Sequence, residues 1–230
     1  MNSIKDISLK LGEHYAKKYA EYGATPEGVD WGSDPADNHL RLDRMLAILE
    51  LGYCQSSNEK PSLLDAGCGY GSLLDLIQKR GITVDYCGID MCASMIEDAK
   101  SKHKDSEWLV GDVLSLEGSR RFDYVVCNGI LTQKLGTSIK AMDLYMQTIV
   151  TRMFELCRVG VAFNVMTTHV NFMAPNLYYK NPLEVLGWCM STLTSRIRVD
   201  HAYPMYEYTV YLYREDAPGS HYGAHRNTKL

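Results

Sequence analysis

The chain has 230 residues, with 24 Lys and Arg against 28 Asp and Glu, a formal net charge of -4 and 46% hydrophobic residues. That length and apolar content suffice for one domain with a sizeable core, and the acidic balance, with no basic run, argues against a nucleic-acid clamp. No window approaches the roughly 20 consecutive apolar residues of a membrane span, and the charged N-terminus MNSIKDISLKLGEHYAKKYAEYG is unlike a signal peptide, so a cytoplasmic location without nucleic-acid or membrane partners is expected.

Two helical stretches come first, Ile4 to Tyr22 and Asn38 to about Tyr53. The connector between them, GATPEGVDWGSDPAD, reads as irregular, with Asp37 or Asn38 capping the second helix. From Pro61 the chain alternates short apolar runs with helical periodicities. SLLDAG reads as a first strand, GSLLDLIQKRG as a helix closed by Gly81, and ITVDYCGID as a second strand. A helix from Met91 to about His103 follows, then the strands EWLVGD and FDYVVCNG, a helix from about Lys140 to Cys157, and the strand VGVAFNVM. This succession implies a parallel sheet with helices on both faces, because parallel neighbours need crossovers.

Beyond a polar, aromatic stretch, TTHVNFMAPNLYYKN, a helix begins near Pro182. SRIRVDHAY and YEYTVYLYR, joined by a short turn at Pro204, read as an antiparallel hairpin. On the last strand Tyr206, Tyr208, Tyr211 and Tyr213 are expected on one face, with Val210 and Leu212 on the other. The domain reading is thus 1–60 for N-terminal helices and a lid, 61–214 for the core with a substrate-side insertion at about 167–182, and 215–230 for a tail. The seven scattered cysteines, Cys54, Cys68, Cys87, Cys92, Cys127, Cys157 and Cys189, form no C-x-x-C and read as reduced, buried thiols. No metal is expected.

The stretch LLDAGCGYGSLLDLI sets Gly67, Gly69 and Gly71 where a strand runs into a helix, a turn that lets the backbone approach a ligand closely. A dinucleotide turn is G-x-G-x-x-G, whereas here the pattern is G-C-G-Y-G followed by Ser72 and preceded by Asp65.

With these residues the chain resembles the class I S-adenosylmethionine-dependent methyltransferases, whose first motif is an acidic residue followed by G-x-G-x-G. CGID puts Asp90, with Met91 beside it, where the resemblance implies binding of the ribose hydroxyls, and VGDV puts Asp112 and Val113 where it implies binding of adenine. FDYVVCNGIL matches a fourth motif, with Asn128 beside the cofactor and Asp123 at the strand start. Asp65 is open to two roles, compensating the cofactor's positive charge or holding the glycine loop. The resemblance covers roughly Ser62 to Met166 and implies a three-layer, doubly wound α/β fold with a seven-stranded sheet of order 3-2-1-4-5-7-6, strand 7 antiparallel. It also implies S-adenosyl-L-methionine as cofactor and S-adenosyl-L-homocysteine as product.

The acceptor pocket should come from segments outside that core. Trp31 sits on the expected lid, His169 and Asn171 lie just past the fifth strand, and Tyr178, Tyr179 and Tyr206 complete the candidate substrate side, with His169 as the candidate base. Tyr15 and Tyr19, one turn apart, could close over the cofactor, and Arg41 could meet its carboxylate. The motif CNGI departs from the [D/N]-P-P-[Y/F/W] of amino-directed nucleobase and glutamine enzymes. Methyl transfer to O or N of a small metabolite or sugar-like acceptor is the favoured function, with a second copy of the chain as a candidate partner. A nicotinamide-dependent oxidoreductase and a non-catalytic cofactor-binding module stay open as alternatives.

Overall fold

The computed structural model describes residues 3–32, 34–51 and 60–215. The expected helix end near Tyr53, Cys54 and the tail from residue 216 onward lie outside these residues.

Helix α1 (Ile4–Tyr22) starts on a capping box, in which Ser3 Oγ accepts from Asp6 N–H at 3.2 Å and Asp6 Oδ2 accepts from Ser3 N–H at 2.8 Å. It ends at Gly23, whose φ of 64° lies in the region that favours glycine. Helix α2 (Pro35–Leu51) begins earlier than its periodicity suggests. Asp34, rather than Asp37 or Asn38, takes the capping position, its Oδ1 accepting from Ala36 N–H at 2.8 Å, and Pro35 follows it where a missing N–H costs nothing.

The core alternates β1 (Ser62–Ala66), α3 (Ser72–Lys79), β2 (Asp85–Asp90), α4 (Ala93–Lys102), β3 (Glu107–Val110), β4 (Phe122–Cys127), α5 (Ile139–Leu156) and β5 (Cys157–Thr167). A two-residue strand β6 (Tyr179–Lys180), helix α6 (Pro182–Thr192), β7 (Ile197–Asp200) and β8 (Glu207–Tyr213) follow. The sheet order is β3-β2-β1-β4-β5-β8-β7, with only β8 antiparallel to its neighbours. With the short β6 left out of the numbering, this is the expected 3-2-1-4-5-7-6. β6 pairs in parallel with the end of β5, Met166 opposite Tyr179, so the insertion returns to the sheet edge.

Helices α1, α5 and α6 cover one face of the sheet, where Ile7, Leu11, Met146, Ile149 and Val185 pack on Val125, Phe163 and Val210. Helices α2, α3 and α4 cover the other, with Met45, Leu46, Leu73 and Ile96 against Leu63 and Val126. Burial on both faces explains why the central strands read as continuous apolar runs.

The expectation for the last strand is corrected. Tyr208 shares a face with Val210 and Leu212, while Tyr211 and Tyr213 point to the opposite face. Side chains alternate with period two, so positions 208 and 211 cannot share a face. Tyr211 instead reaches α2, donating to Arg44 O at 2.7 Å.

Candidate functional site

Strand β1 enters α3 through Gly67, Gly69 and Gly71, all at positive φ (76°, 55° and 87°). A Cβ on Gly67 would stand 2.6 Å from the Ile130 side chain, and one on Gly71 would stand 2.9 Å from the Trp108 indole. Gly69 meets nothing closer than 3.5 Å, leaving its backbone open to whatever occupies the adjoining cavity. The turn is tied to β2, since Gly67 N–H and Cys68 N–H both donate to Ile89 O (2.8 and 3.2 Å).

Asp90 braces the same turn. Its Oδ2 accepts from Gly69 N–H at 2.9 Å and its Oδ1 from Cys92 N–H at 2.8 Å. Burial raises its pKa, and these N–H donors oppose the shift. The Met91 N–H also faces this carboxylate, and four lone pairs against three N–H donors leave one for a ligand hydroxyl. Beneath the turn, Asp65 is 3% exposed and accepts from Tyr86 O–H at 2.6 Å. Burial pushes its carboxyl up to about 7, with the Tyr86 hydrogen bond opposing. Asp112, after β3, accepts from Leu114 N–H through Oδ1 at 2.9 Å.

These elements enclose a cavity with about 820 Å³ of empty space, counting the solvent at its mouth. Gly67, Gly69, Asp90, Met91, Asp112, Val113, Asn128 and Trp31 line it, eight of the positions singled out in the sequence. Helix α1 forms one wall with Ser8, Leu11, Gly12 and Tyr15, and α5 contributes Tyr145 and Ile149. Gly12 allows α1 to approach, since a Cβ there would already touch Met91 at 3.4 Å. Tyr15 O–H donates to Gly129 O at 3.2 Å, tying α1 to the loop after β4.

Trp31 closes the cavity from the connector. Its indole nitrogen would lie 2.8 Å from a Cβ on Gly129, whose φ is 93°. The residue before it, Asp30, accepts from Gln133 Nε2 at 2.7 Å and pairs with His14 at 2.9 Å and Lys18 at 3.4 Å. The connector is thus fastened to α1 and to the loop after β4 together.

Several candidate residues lie elsewhere. Gly71 and Asp65 support the turn from behind and are not on the cavity wall. Tyr19 is buried, stacks on Tyr70 and donates to Asp98. Arg41 pairs with Glu207, Nε to Oε2 at 3.2 Å, and covers the Trp31 ring. Tyr178 is fully buried, its O–H donating to Asp143 at 2.6 Å, and Tyr179 O–H accepts from Ala174 N–H at 3.1 Å. His169 and Asn171 are exposed; the His169 N–H donates to Thr167 Oγ1, and Asn171 Nδ2 lies 3.5 Å from the hydroxyl of exposed Tyr206. Asp123, at the far end of β4, accepts from Ser62 N–H and Oγ–H at 2.8 Å and joins two strand starts.

Of the wall residues beyond the motifs, Ser8, Leu11, Gly12 and Tyr15 recur at helical spacing on α1, and Tyr145 and Ile149 are four apart on α5. That periodicity signals a buried face without saying whether it meets core or cavity. The described cysteines, Cys68, Cys87, Cys92, Cys127, Cys157 and Cys189, are free and buried, and burial holds Cys127 up at about 12.

Whether this cavity suits S-adenosylmethionine can be judged from its own groups. Carboxylates at the ends of β2 and β3 suit ribose hydroxyls and an exocyclic amine, which are donors. Both amide atoms of buried Asn128 lack a hydrogen-bond partner, as expected of a group that awaits a ligand. The residues fit. A doubly wound sheet with a glycine turn, successive strand-end carboxylates and an antiparallel penultimate strand is the architecture that the resemblance to class I S-adenosylmethionine-dependent methyltransferases implies, and the cofactor of that class is S-adenosyl-L-methionine.

Comparison with known proteins agrees. Residues 63–150 match a family described as a methyltransferase domain. The chain is 28% identical over 151 residues, 65% of this chain and 90% of the relative, to Rv1506c of Mycobacterium tuberculosis, whose name proposes a methyltransferase. Its fold is similar to that of magnesium protoporphyrin IX methyltransferase (ChlM) from Synechocystis PCC 6803, solved with bound SAM, at a TM-score of 0.63 and 13% identity over 91% of this chain and 97% of that one. It is also similar to DhpI in its complex with SAH, at 0.59 and 16% over 92% and 98%. Identities this low speak for the fold alone.

Proposed function

We propose that the chain transfers a methyl group from S-adenosylmethionine to an oxygen or nitrogen of a small metabolite or sugar-like acceptor. The observation that carries this reading is the single cavity wall shared by Gly69, Asp90, Asp112 and the unpartnered Asn128. When bound, the cofactor supplies an electrophilic methyl on a sulfonium sulfur. The protein's own work is then to hold and align. Asp90 and Asp112 would take the ribose and adenine, the Gly69 backbone would lie against the cofactor, and Met91, Val113 and Tyr15 would exclude water. Orientation of this kind contributes up to ~7–11 kcal/mol in good cases. The exposed position of His169, off the cavity wall, favours a transfer that does not draw on it as base.

Calorimetry with S-adenosylhomocysteine and with NAD, followed by transfer of labelled methyl to a metabolite extract, tests the reading. Binding of the former with transfer to a small product is expected. Binding of NAD instead would favour the oxidoreductase alternative, and binding without any transfer would favour a non-catalytic module.

A further inference from the structure

Three elements meet at the end of the cavity that carries Asp112. Helix α5 packs on the short helical turn Val113–Ser115, and α1 packs on α5. Leu11, Val113 and Ile149 bring apolar surface from all three to the cavity wall. Two hydroxyls interrupt that surface. Ser8 and Tyr145 line the cavity and are 2% and 3% exposed. Among the described residues their one hydrogen bond is to each other, Ser8 Oγ to the Tyr145 hydroxyl at 3.5 Å, the long limit of such a bond. Buried polar groups in folded proteins are nearly always paired, so two hydroxyls this weakly joined on a cavity wall point to a ligand.

The direction of that bond matters. Ser8 donates its proton to the Tyr145 oxygen, which leaves the phenol proton without an acceptor among the described residues. Burial raises the Tyr145 pKa, the Ser8 bond opposes the rise, and the charge of Asp112 adds to it, so the phenol keeps its proton at neutral pH and can donate. Asp112 is the complement. Its Oδ1 accepts from Leu114 N–H, its Oδ2 has no partner among the described residues, and a carboxylate only accepts. The wall thus offers one acceptor and one donor among apolar surfaces, the usual make-up of a small-molecule site. Adenine presents the matching edge, an amine that donates beside ring nitrogens that accept.

We propose that Tyr145, oriented by Ser8, is a base-reading residue of the cofactor site: its hydroxyl donates to a ring nitrogen of adenine while Asp112 takes the neighbouring amine. Leu11, Val113 and Ile149 supply the apolar surfaces for the ring faces. The inference rests on the methyltransferase reading above and names two residues, on α1 and α5, that lie outside the strand-end motifs. It gives both helices a part in holding the cofactor.

The test measures affinity rather than turnover, by calorimetry on the full chain. The probes are S-adenosylhomocysteine and its 1-deaza and 7-deaza analogues, in each of which a C–H replaces one of the two ring nitrogens nearest the amine. For the wild type, one analogue should bind about three- to tenfold more weakly than S-adenosylhomocysteine, as the loss of one neutral hydrogen bond requires. Tyr145→Phe should lose about the same factor for S-adenosylhomocysteine and bind that analogue within twofold of the wild type. If Tyr145→Phe melts far below the wild type, Ser8→Ala, which frees the phenol to turn away, takes its place with the same pattern expected. Equal wild-type affinity for all three probes would overturn the assignment. So would losses in the variant that are the same for all three, the mark of a merely structural hydroxyl. Failure of the wild type to bind S-adenosylhomocysteine would instead overturn the methyltransferase reading itself.

Discussion

Tyr86 O–H donates to the buried Asp65 carboxylate at 2.6 Å, one layer beneath the glycine turn. The pair joins β1 to β2 where the turn begins, and burial holds the Asp65 carboxyl at about 7 against an ordinary value of 3.8. The folded chain therefore keeps a proton that the unfolded chain releases. Its stabilising contribution is fully present below pH 3.8 and is lost as pH rises through about 7, with a slope approaching ~1.4 kcal/mol per pH unit between the two values. Urea unfolding of the wild type and Asp65→Asn at pH 5, 6 and 7 should show the wild type losing ground steadily to the variant. A stability difference that does not change with pH would contradict the assignment.

Asp90 braces Gly69 and Cys92 and lines the cavity, and the proposed function gives its carboxylate a second task on the ribose. Replacing it with Ala should weaken S-adenosylhomocysteine binding more than tenfold by calorimetry. Unchanged affinity would show that its carboxylate holds the turn and nothing else.

Gly129→Ala adds a methyl at φ 93°, where Trp31 Nε1 stands 2.8 Å away. Strain and crowding together should cost about 1–3 kcal/mol in denaturant unfolding. Because the Trp31 indole must move, methyl transfer should fall more than S-adenosylhomocysteine affinity. Equal losses in both would mean that Trp31 guards the cofactor rather than the acceptor.

Tyr178→Phe removes one buried hydrogen bond, to Asp143, from a fully buried ring. A loss of about 1 kcal/mol in stability is expected, with transfer rates within twofold of wild type. A large drop in acceptor turnover at unchanged stability would return Tyr178 to the substrate side.

The order of elements was legible because each local pattern had its own period. Alternating apolar strands and amphipathic helices demanded a parallel sheet, and LLDAGCGYGS with Asp90 and Asp112 marked its ligand edge. Motif residues are readable because backbone geometry at a strand end allows few choices, as at Gly67 and Gly69. The face of each tyrosine on β8 was also determined by the sequence, through parity alone, and the expected single face for Tyr208 and Tyr211 conflicted with it.

Contacts between distant segments belonged to tertiary structure. Arg41 and Glu207 are 166 residues apart, Tyr15 and Gly129 114, and no local periodicity announces either pair. An exposed His169 and a buried Tyr178 looked alike as polar residues after a strand, because burial depends on how the insertion folds back onto β5. The sequence alone determined that the chain presents a glycine turn and strand-end carboxylates at one edge of the sheet. Only the packing of α1 and the Trp31 connector around that edge decided which side chains line the cavity, because their positions are set by long-range contacts rather than by spacing along the chain.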